Sequence, residues 1–184
     1  MKRMVEFFSG RKIVSKTFQD GGWEADSVDT IDGQDIMTWK PTKSYDFVWA
    51  SPPCQEYSGL AYDYDRIWKA DRSLWLRALE LIQEIRPRFW IIENVKMAQW
   101  IWGKAPQHYG SYFLWGYYPK LNIPKGLWTT SLKGTHLNRK ENIRFNESKS
   151  AADRGEIPKE LAELVFDTID VALNIDRGTI EDVK

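Results

Sequence analysis

Short, largely apolar blocks that end in polar residues alternate along this chain with segments whose apolar residues recur at a helical period. Lys2 to Phe8 reads as a strand ending at Ser9-Gly10, followed by a helix that carries Val14 and Phe18 toward Gly21-Gly22. Trp23 to Val28 reads as a second strand with Asp29 at its end, and Asp32, Gly33 and Asp35 mark a loop before Ile36-Met37. Tyr45 to Ala50, bounded by Pro41 and by Ser51-Pro52-Pro53, fits a buried central strand of a parallel sheet. From Asp71 onward, Leu74, Ala78, Leu81, Ile82 and Ile85 share one face of a helix that Pro87 stops. Phe89 to Ile92 then predicts another buried strand, which delivers Glu93-Asn94-Val95 at its carboxyl end.

Residues 98–146 are rich in Gly, Pro, Lys and aromatics without a sustained period, and read as irregular with short strands near Tyr112 to Leu114. Pro158 suits the first turn of a last helix, with Leu161, Leu164, Val165, Thr168 and Ile169 on one face and a frayed polar tail after Asn174. Strands alternating with helices in 184 residues predict one catalytic domain spanning 1–184, a three-layer α/β fold. Ligands of such folds bind outside the carboxyl ends of the strands, where Ser9-Gly10, Asp29, Ser51 to Cys54 and Glu93 to Val95 all fall.

Composition narrows the chemistry. No apolar run approaches the ~20 residues that cross a bilayer, and the first residues lack a signal-peptide core, so a cytoplasmic protein without a membrane partner is expected. One cysteine and two histidines argue against a disulfide and against a Cys- or His-built metal site. Lys+Arg and Asp+Glu both number 26, so no global basic field marks a nucleic-acid partner, although a local basic face could still hold phosphates. Ten tryptophans exceed ordinary core filling and leave room for some to face a ligand or a base.

Two prolines stiffen the turn that presents Cys54, which makes this lone thiol a candidate nucleophile; the alternative is an inert buried cysteine. Glu93, in the apolar setting of Trp90, Ile91 and Ile92, could exchange a proton with a bound base; the alternative is a solvated acid beside a capping Asn94.

Pro53-Cys54-Gln55 followed about forty residues later by Glu93-Asn94-Val95, with Phe8-Ser9-Gly10 opening the chain, resembles the cytosine-5 DNA methyltransferase family, and more narrowly its small phage-encoded members. The similarity runs from about Val5 to Val95, then more weakly through His108 to Trp115, Lys125 to Thr129 and Arg154 to Leu161. The resemblance implies a Rossmann-like fold with a mostly parallel sheet, S-adenosylmethionine as cofactor, DNA as partner and no metal. It implies that Cys54 adds to C6 of an extruded cytosine while Glu93 holds N3 and the exocyclic amine. It further implies a cofactor pocket of Phe8, Ser9, Gly10 and Pro53, with Asp29 on the ribose hydroxyls and Asp35 with Ile36 at the adenine. Gln55, Asn94, His108 and Tyr109 would meet the substrate, and a phage-encoded protein would act in the host cytoplasm; no protein partner is implied.

Two departures stand out. Lys12 replaces a glycine of the first loop, and Gln107 to Ser111 contains no arginine where the family has a Gln-x-Arg-x-Arg segment. Either could leave a silent DNA- or cofactor-binding homologue, and an RNA or nucleotide cytosine methyltransferase would share the chemistry. Lys96, Lys104, Lys120, Lys125, Lys133, Arg139, Lys140 and Arg144, interleaved with Trp100, Trp102, Trp115 and Trp128, suit phosphate contact and base stacking, or a solvated loop over a satellite aromatic core. Glu156 to Leu161 resembles the motif that returns the last helix to the cofactor side, or is simply a capped helix start.

Overall fold

A computed structural model of the chain describes residues 1–58, 69–124 and 156–181. Its strands β1 (Arg3–Phe7), β2 (Glu24–Val28), β3 (Phe47–Ala50), β4 (Phe89–Asn94), β5 (Gln107–Tyr109) and β6 (Tyr112–Tyr117) form one sheet in the order β2-β1-β3-β4-β6-β5. The first four pair in parallel, and β6 and β5 run antiparallel at one edge. The helices are α1 (Ile13–Asp20), α2 (Gln55–Ser58), α3 (Ser73–Ile85), α4 (Gln99–Trp102) and α5 (Lys159–Glu181).

Side chains alternate between the faces of a strand, so each buried strand feeds two cores. Val5, Phe7, Val48 and Ala50 face Trp75, Ala78, Leu81 and Ile82 of α3. Met4, Phe47 and Trp49 face Val14 and Phe18 of α1 and Leu161, Val165 and Ile169 of α5. Helices on both faces of a mostly parallel sheet make the three-layer, Rossmann-like α/β fold that the alternation of elements predicts.

The ends of the elements follow from local chemistry. α1 begins without a side-chain cap on Lys12, and buried Glu6 of β1 reaches up to accept the Ser15 N–H at 2.7 Å. A carboxylate there meets the positive end of the helix dipole. α3 ends at Arg86, in the left-handed region at φ 52, whose N–H returns to the Ile82 carbonyl at 2.9 Å just before Pro87. β6 approaches β4 so closely that a Cβ on Gly116 would lie 2.1 Å from the Trp90 carbonyl oxygen, so only glycine fits.

Two expectations need correction. The described part of 98–146 is ordered as α4 and the β5–β6 hairpin, because backbone pairing with β4 supplies the regularity that side-chain period does not. α5 continues past Asn174 to Glu181, because helix propagation needs only one further backbone bond per residue and meets no proline. Lys125, Lys133, Arg139, Lys140, Arg144, Trp128 and Arg154 lie outside the described residues.

Candidate active site

The carboxyl ends of β1 to β4 open on one cavity of about 620 Å³. β1 lies between β2 and β3, so the chain reverses direction across the sheet there and leaves a crevice between the loops. Phe8, Asp29 and Ile36 line one part of the wall, and Cys54 and Glu93 another.

The first loop coils tightly because Phe8, Gly10 and Lys12 all have positive φ, at 58, 48 and 62. Phe8 donates its N–H to the Val28 carbonyl at 2.9 Å, and Lys12 donates its own to Ser9 at 2.7 Å. Lys12 thus adopts the backbone a glycine would take, at a cost of about 1–2 kcal/mol. Its ammonium pairs with Asp32 at 2.9 Å, and the residue does not line the cavity. Asp29 joins the two loops: Oδ2 accepts the Gly10 N–H and Oδ1 the Ile31 N–H, both at 2.9 Å. A carboxylate has about four lone-pair sites, so capacity for a diol remains.

Asp35 is exposed, and its Oδ1 accepts the Met37 N–H at 2.9 Å; Ile36 is buried. Arg77 of α3 holds this loop by donating to the carbonyls of Ile36 and Trp39 at 3.1 and 3.0 Å. Ser9 and Gly10 belong to the first loop without lining the cavity; the buried Ser9 hydroxyl has no hydrogen-bond partner among the described residues.

Cys54 is held from three sides. Asn94 donates its Nδ2–H to the Pro52 carbonyl at 2.8 Å while its Oδ1 accepts the Val95 N–H at 2.9 Å, which locks the turn after β3 to the end of β4. The Tyr57 N–H bonds to the Cys54 carbonyl at 3.0 Å. The Tyr57 ring stands edge-on to Trp75, which stacks on Trp102 at 4.7 Å and meets Trp115 edge-on. Trp102 and Trp115 are therefore part of a core that supports the turn.

Glu93 is 8% exposed, and burial pushes its carboxyl up to about 8, against a hydrogen bond from the Ser51 hydroxyl that favours the charged form. Burial also pushes the Cys54 thiol up, with the Glu93 charge as the next cause. The two groups are coupled: a neutral Glu93 removes one of the two influences that disfavour the thiolate.

Three of the residues that the sequence assigned to the substrate lie off the cavity wall. His108 turns Nδ1 to the Gly110 carbonyl at 3.1 Å and stacks on Phe113, away from the cavity wall. Tyr109 sits against the α1–α5 core and also stays off the wall. Asn94 is 1% exposed and committed within the chain, so it positions the turn and does not face a ligand. Pro53 and Gln55 do line the cavity.

Ser111 and Tyr112 occupy the wall, beside Thr30 and Ser51; of these the sequence placed only Ser51 at the strand ends, and it assigned none of them a role. Leu114 pairs with Glu93 across β4–β6, which carries Tyr112 to the site; its hydroxyl donates to the Glu156 carbonyl at 2.9 Å. No local pattern announces a contact between segments this distant. Glu156 also meets Arg11 at 3.2 Å, so 156–161 returns α5 to the first loop.

Among the described residues no group of three or more His, Cys, Asp or Glu could hold a metal ion, and no helix is long and apolar enough to cross a membrane.

The sequence matches the family described as C-5 cytosine-specific DNA methylase over residues 11–100. A Frog virus 3 (isolate Goorha) protein named "Probable DNA (cytosine-5)-methyltransferase" is 31% identical over 153 residues, covering 69% of this chain and 70% of that protein. Among solved structures, the chain is similar to a DNA modification methyltransferase encoded within an E. coli prophage, with 19% identity, 53% of this chain covered and a TM-score of 0.39. It is also similar to the Entamoeba histolytica methyltransferase EhMeth, with 16% identity, 67% of this chain covered and a TM-score of 0.39. The matches span 33% and 55% of those two solved chains.

Proposed function

Because the chain belongs to the C-5 cytosine-specific DNA methylase family, we propose that it transfers a methyl group from S-adenosylmethionine to C5 of cytosine in DNA through a bond between Cys54 and C6. The observation that carries this reading is that one cavity is lined by a firmly held thiol, a buried carboxyl protonated near neutral pH, and a carboxylate suited to a ribose diol.

The donor set fits the cofactor. Asp29 would accept the ribose hydroxyls, Phe8 and Ile36 would offer apolar surface to the adenine beside Asp35, and the Ser9 hydroxyl, without a partner among the described residues, lies in the first loop. When bound, S-adenosylmethionine supplies an electrophilic methyl group on a sulfonium. The Arg77 clamp keeps the adenine side of the cavity in shape from outside it.

C6 of a stacked cytosine is shielded, so the base must leave the helix to reach Cys54. The thiol loses its proton to water at the cavity mouth, and the thiolate forms a bond to C6. The electrons of the C5–C6 double bond move into the ring, and Glu93 gives its proton to N3 as charge develops there. C5, now part of an enamine, would take the methyl group as the sulfonium's S–CH3 bond breaks and its sulfur departs as a neutral thioether. The C5 hydrogen then leaves to solvent, the Cys54–C6 bond breaks as the double bond reforms, and Glu93 regains the N3 proton. In this reading residues 1–184 act as one catalytic domain and 98–146 contributes the DNA contacts.

Incubation with methyl-tritiated S-adenosylmethionine and duplex DNA, single strands, RNA or free nucleotides tests the proposal. Label at cytosine C5 of DNA is expected. Cofactor binding without incorporation into any substrate would identify a silent homologue, and label confined to RNA or nucleotides would reassign the substrate.

A further inference from the structure

We propose that Ser51 is a positioning residue for Glu93: pinned by the Trp49 indole, its hydroxyl donates to one oxygen of the carboxyl and leaves the proton on the oxygen that faces the base. The identity of that base rests on the reading above; the pairing of Ser51 with Glu93 does not.

Sheet register brings the two residues together. Trp49 pairs with Ile91 and Ala50 with Ile92 across the parallel strands β3 and β4, so Ser51 and Glu93 come next in step. The period of two places Trp49 and Ser51 on one face, and Ile91 and Glu93 on the same one. Both Ser51 and Glu93 line the cavity. The backbone of Ser51 is fixed by its N–H to the Phe7 carbonyl at 3.2 Å and restricted by the proline that follows.

The direction of the hydrogen bonds follows from the donor inventory. Trp49 is fully buried, and its Nε1–H, which can only donate, meets Ser51 Oγ at 2.8 Å. The indole takes one lone pair of the Ser51 oxygen, and the ionised carboxylate can only accept, so Ser51 directs its single hydrogen at Glu93, whose charged form this hydrogen bond favours. A protonated carboxyl has one carbonyl oxygen and one hydroxyl. Ser51 selects the carbonyl oxygen, so the acidic proton resides on the other. The same bond opposes burial and keeps Glu93 where it can both release and recover a proton near neutral pH.

The test follows the Glu93 δ-carbon by carbon-13 NMR titration in glutamate-labelled free protein, assigned by its disappearance in Glu93→Gln. Ser51→Ala is expected to raise the Glu93 midpoint by about one to two pH units, as the loss of a hydrogen bond to a charged group implies. Ser51→Thr, which keeps the hydroxyl, restores it, and Trp49→Phe raises it by less. In turnover, Ser51→Ala lowers kcat by about 10- to 100-fold with the KM for S-adenosylmethionine unchanged. An unshifted midpoint in folded Ser51→Ala, or in Ser51→Gly should the alanine variant not fold, overturns the pairing. A shifted midpoint in a protein that transfers no methyl group upholds the pairing and overturns the methylation reading instead.

Discussion

Cys54→Ser eliminates methyl transfer, by about 10⁴-fold or more on the scale set by removal of enzymatic nucleophiles, while S-adenosylmethionine binds with an affinity within about twofold of the parent protein. The two halves of this expectation have separate physical sources. A serine hydroxyl lacks the accessible anion and the intrinsic nucleophilicity of a thiol, and among the described residues burial and the Glu93 charge both act against ionisation. The supports of the turn are the Asn94 side chain, the Tyr57 N–H and the two prolines, and none of them uses the sulfur. Isothermal titration for the cofactor and tritium counting for transfer check the pair. Substantial residual methylation in a pure variant would remove the covalent route.

Glu93→Gln makes the protein less active and, at alkaline pH, more stable. Transfer falls by about 10²- to 10⁴-fold, the usual contribution of a positioned proton donor. Stability moves the other way because the folded protein holds the Glu93 proton up to about pH 8, whereas the unfolded chain releases it near the ordinary carboxylate value. The raised carboxyl therefore contributes a stability term that is fully present below about pH 4, declines as pH rises, and leaves a buried charge above about 8. Glutamine cannot ionise and escapes that decline. Thermal unfolding of the two proteins should give similar midpoints at pH 5 and a higher midpoint for the variant at pH 9. Parallel curves would show that Glu93 is not a desolvated acid. Loss of activity together with gain of stability marks a site kept at a cost to the fold.

The core elements were legible because their signals are local. The apolar block at residues 47–50, the helical stripe from Leu74 to Ile85 and the stop at Pro87 each need only their own neighbours, and all three are found. Asp29, Cys54 and Glu93 were legible for a related reason: each lies at or shortly after the carboxyl end of a strand, and strand ends in this architecture point to the same side. The β5–β6 hairpin was not. Its pairing with β4 depends on contacts between distant segments, and its short aromatic strands are interrupted by Gly110 and Gly116. The same gap hid that Ser111 and Tyr112, and not His108 and Tyr109, line the cavity, since without that pairing no argument decides which residues of the hairpin reach Glu93. Lys12 shows the converse: the residue type looks wrong for the loop, but the backbone accepts a left-handed lysine and sends its side chain to Asp32.

The most direct measurement asks whether sulfur and cytosine become joined. DNA containing 5-fluorocytosine is incubated with the protein and S-adenosylmethionine, denatured, and digested for mass spectrometry. Fluorine at C5 takes the place of the hydrogen that must leave before the Cys54–C6 bond can break. A denaturation-resistant complex whose modified peptide contains Cys54 is predicted. An active preparation that forms no such complex, or forms one through another residue, contradicts the assignment of Cys54 as the nucleophile.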